Sequence, residues 1–337
     1  MNINNYKGIW VYAEQTDRAL SNVPLELLSK AVKLKEATKE DITAILLGSN
    51  IASLAQKLLN HGADNVIIVD SPNLKEYKTL PYADTLFQLA QKYKPSIFLI
   101  GATSLGKDLA PRVMAKLQTG LTADCLDLSI DEDGNLVQTK PSYGGNIMCK
   151  ILMPAHRPQM TTLRPRVFSP LEEKENLNGK IITEEVDAVL QPDYEILETI
   201  KKETGGLTIE EAEIIVTAGR GIQCKENIAL VQQLADVVGG KLGATRPLVD
   251  NAWIEPYDQI GQSGKTVKPK LIINVGLSGS VQYMVGMQNS DYIVSINKNE
   301  DADIFKISHC GLVGDLTEIV PAIVEELKKY KKEQGEL

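Results

Sequence analysis

The sequence predicts an α/β protein of two domains: an N-terminal α/β domain with a parallel sheet plus antiparallel additions (residues 1–204), and a C-terminal, Rossmann-like, doubly wound domain (residues 205–337). Three observations predict it. Short apolar runs rich in β-branched residues alternate with helical spacing from the start of the chain, as parallel sheets covered on both faces require. From Thr122 the runs shorten and are joined by tight-turn residues. After a polar, Gly-containing stretch at residues 198–208, the strand–helix alternation restarts.

In order, residues 8–13 (GIWVYA) read as a strand and 24–37 as a helix, with Leu27, Leu28, Ala31 and Leu34 on one face. Strands at 42–48, 65–70 and 96–101 alternate with helices at 51–61, 81–93 and 105–118. Antiparallel strands are expected at 125–130, 136–139 and 147–152, turned by Asp133-Gly134-Asn135 and Gly144-Gly145. Residues 172–179 offer few core candidates. In the second domain, strands are expected at 213–219, 271–276, 291–297 and 304–308. Helices are expected at 226–238, briefly at 279–286, and at 315–332, with Pro321 near the last one's start.

Among 337 residues, 43% are hydrophobic and the net charge is −8. An acidic chain whose longest basic cluster is 328–332, at a helix end, does not suit nucleic acid, whose binding rests on phosphate neutralisation. No run of about 18 apolar residues occurs, so membrane insertion is not expected. Four scattered cysteines without C-x-x-C spacing argue against a zinc site, an iron–sulfur cluster or a redox dithiol. The chain reads as cytoplasmic.

Three glycine loops invite a phosphate. The stretch from Gly101 to Lys107 has G-x-x-x-x-G-K spacing, but Asp108 stands where a Mg²⁺-holding hydroxyl belongs, so a tight turn capped by Thr103 or Ser104 is the simpler reading. Gly219-Arg220-Gly221 puts two flexible glycines and an arginine at the end of a strand, where open α/β sheets bind ligands; Arg220 could grip a pyrophosphate or simply stand in a surface turn. Gly276-Leu277-Ser278-Gly279-Ser280 leads into an apolar helix, whose free N–H groups would suit an anion. No nucleophile or acid–base pair with supporting partners is evident, so no catalytic residue is expected.

Residues 271–316 (LIINVGLSGSVQYMVGMQNSDYIVSINKNEDADIFKISHCGLVGDL) resemble the α subunit of electron-transfer flavoproteins. So do GRG (219–221), ATRPLVD (244–250), QIGQSGK (259–265) and, in the first domain, GATSLGKDLAPR (101–112), TGLTADC (119–125), YGGNIM (143–148) and RPQMTTLRP (157–165). The resemblance covers nearly the whole chain. It implies an extended FAD in the second domain, a β-subunit partner, and electron traffic between NADH or a flavoenzyme such as an acyl-CoA dehydrogenase and a redox partner, as in fatty acid oxidation. A bifurcating complex with a second FAD in the β subunit is the alternative; a self-contained flavin oxidoreductase or a nucleotide-binding regulatory module would be a different class.

Carried over by motif, Arg220 would sit near the pyrophosphate, and Thr245 and Arg246 beside the isoalloxazine, where a cation favours reduced flavin. Gln259, Gln262, Ser263 and Gly264 would lie near the flavin and ribityl chain. Ser278, Gly279 and Ser280 would hold phosphate, with Gln282 following. Asn297 and Asp315 would bind the adenosine end. Tyr283 departs from the family's usual His; it could donate one hydrogen bond near the flavin O2 but carries no charge at neutral pH. His309-Cys310 departs from a common Asp-Tyr pair, and Ser263 from a common Thr.

Overall fold

Runs of Val, Ile and Leu too short for helices become parallel strands because both of their faces can be buried. The computed structural model describes residues 3–142, 147–174, 178–186, 194, 196–199 and 208–334, which fall into two units, Met1–Thr199 and Ile200–Leu337. The division expected after residue 204 and the Gly144-Gly145 turn lie outside the described residues.

The first unit carries a seven-stranded, all-parallel sheet. Its order is Lys180–Thr183, Asn65–Asp70, Ile42–Gly48, Ile9–Tyr12, Ile97–Gly101, Gln159–Leu163, Leu121–Cys125. Alternation along one strand divides the core. Ile9 and Val11 face the helices Asn22–Thr38 and Ala55–Asn60, while Trp10 and Tyr12 face Thr79–Tyr93 and Ser104–Leu117. The strand expected at 125–130 is two strands. Leu121–Cys125 closes the parallel sheet, and Asp127–Ile130 begins a three-stranded antiparallel sheet with Leu136–Ser142 and Ile147–Ile151. Asp131 Oδ1 accepts the amides of Asp133 and Asn135 and sets the turn between the first two of these, with Gly134 at φ +79°.

The second unit has five parallel strands in the order Lys241–Ala244, Ile214–Ala218, Leu271–Val275, Tyr292–Asn297, Cys310–Val313. In sequence terms this is 2-1-3-4-5, the doubly wound order whose switch point lies between the first and third strands. Helices Ile228–Val238 and Leu316–Gln334 cover one face through Val231, Leu234, Ala235, Val320 and Val324. The short helix Val281–Met284 and the 3₁₀ turn Asp303–Ile307 cover the other through Tyr283 and Ile304. The strand expected at 304–308 is therefore that turn, closed by Ser308 Oγ donating to the carbonyl of Ile304, and the strand follows at Cys310–Val313. The short helix expected at 279–286 is one turn, too short for the dipole argument to carry weight. Among the described residues, no helix is long and apolar enough to cross a membrane.

Candidate functional site

At the switch point of the second sheet, two glycine loops meet back to back. Gly219 N donates to Val275 O at 2.9 Å and Gly221 N to Gly276 O at 2.7 Å. A Cβ on Gly221 would lie 2.5 Å from that carbonyl, so only glycine allows the approach. Gly279, at φ +84°, turns the second loop, and its missing Cβ would stand 2.4 Å from Ile304 N. That amide donates to Ser278 O at 3.0 Å, pinning the loop to the 3₁₀ turn. The loops open a cleft of about 460 Å³ lined by Arg220, Thr245, Ser278, Gly279, Ser280, Tyr283, Asn297 and Asp315, all read as site residues from the sequence. A second cleft of about 380 Å³ holds Arg246, Gln259, Gln262, Ser263 and Gln282. Thr245, Pro247, Ser280 and Tyr283 line both, so the two adjoin. Gly264 lines neither; it stands behind, its amide donating to Gly261 O at 3.0 Å.

Several side chains face other duties than the sequence suggests. Ser280 precedes the short helix but makes no side-chain cap, and the residue is exposed and lines both clefts. Arg246 is two-thirds exposed, tied only loosely to Asp250 at 3.4 Å. Gln259 Nε2 donates to Ser263 Oγ at 3.0 Å, and Gln262 N to Gln282 O at 2.7 Å, which joins the two walls of the second cleft. Asn297 braces its own loop: Nδ2 donates to Leu277 O at 2.7 Å and Oδ1 accepts from Asn299 N at 2.9 Å. Asp315 Oδ1 accepts from Thr317 N and Thr317 Oγ1, starting the last helix; these bonds hold its carboxyl below the usual range. The Tyr283 hydroxyl donates to Asn274 Oδ1 at 2.5 Å inside the domain, and burial pushes the phenol well above its ordinary range. The donor expected near a flavin oxygen is thus already engaged. Sequence reasoning missed Lys298, a cation on the first cleft. Its signal was its place, one residue past Asn297 at the carboxyl end of a strand.

The other motifs resolve into structure. Thr103 Oγ1 accepts from Gly106 N at 2.9 Å, and a Cβ on Gly106 would sit 1.9 Å from Gly101 O, so the loop is filled by its own backbone. Asp108 accepts from the hydroxyls of Tyr77 and Thr79. His61 Nδ1 donates to Lys57 O at 2.8 Å, within a helix end. His309 Nδ1 accepts from Ile293 N at 3.0 Å while its ring stacks on Tyr292.

The pair of clefts suits an extended dinucleotide: hydroxyls and cations beside one lobe, amides and an arginine beside the other. Residues 9–189 match the electron transfer flavoprotein domain, and residues 208–288 the electron transfer flavoprotein FAD-binding domain. The electron transfer flavoprotein subunit alpha of Thermoanaerobacterium thermosaccharolyticum is 46% identical over 98% of this chain and 100% of its own. The chain belongs to the electron-transfer flavoprotein α-subunit family. Within that family it is also similar to a subunit of the lactate dehydrogenase (NAD⁺, ferredoxin) of Acetobacterium woodii, at 43% identity over 95% of this chain and 76% of that one. The acryloyl-CoA reductase electron transfer subunit beta of Anaerotignum propionicum is 38% identical over 98% of both chains.

Proposed function

We propose that this α subunit binds one FAD, extended along the two adjoining clefts, and passes electrons between a flavoenzyme or NADH and a redox partner when paired with a β subunit. The observation that carries the reading is the junction at Thr245, Pro247, Ser280 and Tyr283, which joins a lobe edged by Arg220, Lys298 and two serine hydroxyls to one edged by Arg246 and three glutamines. FAD supplies the one- and two-electron chemistry; the chain binds and tunes it. Arg220, Ser278, Gly279 and Ser280 hold the pyrophosphate by charge-assisted and hydroxyl bonds. Asn297, Lys298 and Asp315 bound the adenosine end. Arg246 adds positive charge beside the ring system, with Thr245, Gln259, Gln262, Ser263 and Gln282 around it; Gly264 shapes their loop. The FAD unit begins after residue 204.

An acyl-CoA dehydrogenase is a fitting flavoenzyme, which would put the chain in fatty acid oxidation; the name of the A. propionicum relative supports a CoA-thioester partner. The second reading is electron bifurcation, favoured by the NAD⁺ and ferredoxin in the A. woodii relative's name. Four free cysteines, with Cys310 exposed, suit the reducing cytoplasm. Flavin extracted from the co-purified αβ pair tests the proposal. One FAD per pair supports the simple carrier, two support bifurcation, and none sinks both.

A further inference from the structure

Beneath the short helix Val281–Met284, the sheet carries a row of polar residues where aliphatic ones would be ordinary. Thr217, Asn274 and Ser295 sit on three adjacent strands in register, Thr217 opposite Asn274 and Asn274 opposite Ser295, and all three are wholly buried. Thr217 and Asn274 are one residue short of the strand ends where the glycine loops begin, and Ser295 is two short of the end of its own strand. Their bonds form a chain. Tyr283 Oη donates to Asn274 Oδ1 at 2.5 Å, Asn274 Nδ2 donates to Ser295 Oγ at 3.1 Å, and Ser295 Oγ pairs with Ser308 Oγ at 2.7 Å. Ser308 Oγ also lies 2.8 Å from Ile304 O. Thr217 Oγ1 has no hydrogen bond of ordinary geometry to a described residue, though it lies close enough to act on the phenol.

The two ends of the chain reach opposite parts of the cleft. At one end, the residue before Tyr283 accepts the amide of Gln262, which anchors the Gln262–Ser263 wall. At the other, the amide of Ile304 holds Ser278 O, which anchors the phosphate loop. Buried polar chains are worth keeping only when every member is satisfied, and then they fix a single geometry.

We propose that Tyr283 is a positioning residue: through Asn274, Ser295 and Ser308 its phenol ties the wall of the second cleft to the loop of the first, so that the spacing of the two lobes is set before the cofactor arrives. The inference rests on FAD as the occupant. Tyr283 lines both clefts and spends its one phenolic proton on Asn274, not on the flavin. Loosening the chain leaves the binding groups in place but makes the cofactor bear the cost of ordering them.

The test is a double-mutant cycle on the intact αβ pair, freed of flavin and titrated with FAD, with the flavin midpoint potential read on the reloaded protein. Tyr283→Phe and Asn274→Leu should each weaken FAD binding about tenfold, and the double variant should also lose only about tenfold, since either change breaks the same chain. The potential should not move. Ser308→Ala lines neither cleft and should lower affinity about threefold, which keeps the question answerable if the buried variants fail to fold. Losses that add to about a hundredfold in the double variant, or unchanged affinity in all variants, would overturn the coupling. A shifted potential with unchanged affinity in Tyr283→Phe would show the hydroxyl bonding the flavin directly and overturn it too. Wild-type protein that binds no FAD would instead refute the functional reading, while non-additive melting temperatures in the same cycle would still report the chain.

Discussion

Gly279 and Gly239 both have positive φ, +84° and +68°, but differ in what surrounds them. Beyond Gly239, which ends the helix Ile228–Val238, nothing lies within 4 Å of a built Cβ. At Gly279 the Cβ would stand 2.4 Å from Ile304 N and 2.6 Å from its Cα, backbone atoms that cannot swing aside. Alanine at 239 therefore meets only left-handed strain, roughly 1 kcal/mol after the gain from a stiffer unfolded chain. Alanine at 279 adds overpacking of about 1–3 kcal/mol, for a total of about 2–4 kcal/mol. At roughly 3–4 °C per kcal/mol for a unit of this size, Gly239→Ala should lower the melting temperature by ~3–4 °C and Gly279→Ala by ~6–16 °C. Differential scanning calorimetry of the αβ pair measures both. Only Gly279→Ala should also lose flavin, because the clash falls on the amide that holds Ser278. Equal melting shifts for the two variants would refute the packing argument and leave backbone strain as the whole effect.

Arg220→Ala should weaken FAD binding by about tenfold or more, the loss of a charge-assisted bond, and flatten its dependence on salt; titration at two ionic strengths checks this. Arg246→Gln should lower the flavin midpoint potential by ~40–80 mV at low salt, the effect of about 1–2 kcal/mol of Coulomb attraction per electron near a surface, screened because the residue is largely exposed. An unchanged potential by spectroelectrochemistry would remove Arg246 from the flavin's surroundings. Glu14 is buried, which raises its carboxyl pKa against the opposing bond from Thr103. A raised acid binds more protons folded than unfolded, so stability falls as pH rises above about 4.5, towards the folded value. Glu14→Gln should thus stabilise the protein at pH 7 and leave it unchanged near pH 4, as denaturant melts at both pH values would show.

Much of this molecule was legible where burial and chemistry agree. Ile42–Gly48 is buried along its length and apolar but for Thr43, and its shortness and β-branched start mark it as a strand. Gln159–Leu163 is equally buried yet reads as polar, because its polar groups are satisfied inside: Gln159 Oε1 takes the Leu136 amide and Thr161 donates to Thr122 O. The strand Cys310–Val313 is an edge with mostly exposed residues, so it gives no apolar signal, while the neighbouring Asp303–Ile307 turn buries Ile304 and imitates a strand. In the site, glycine spacing and hydroxyls found the loops. The engagement of Tyr283 and Asn297 depends on residues nine and twenty positions away, and no local pattern announces it, whereas Asp315 is held by Thr317 only two residues on.

The strand order of the first sheet reverses between Ile9–Tyr12 and Ile97–Gly101, the kind of switch point at which open α/β sheets form a crevice. There the chain spends its side chains on itself: Thr103 Oγ1 donates to Glu14, and Gly106 lies against Gly101. Topology alone thus makes two berths, and only a few atoms decide that one is shut. For a protein engineer that shut berth is a starting point: a second ligand site could be sought by trimming Thr103 and Glu14, with the seven-stranded sheet left intact.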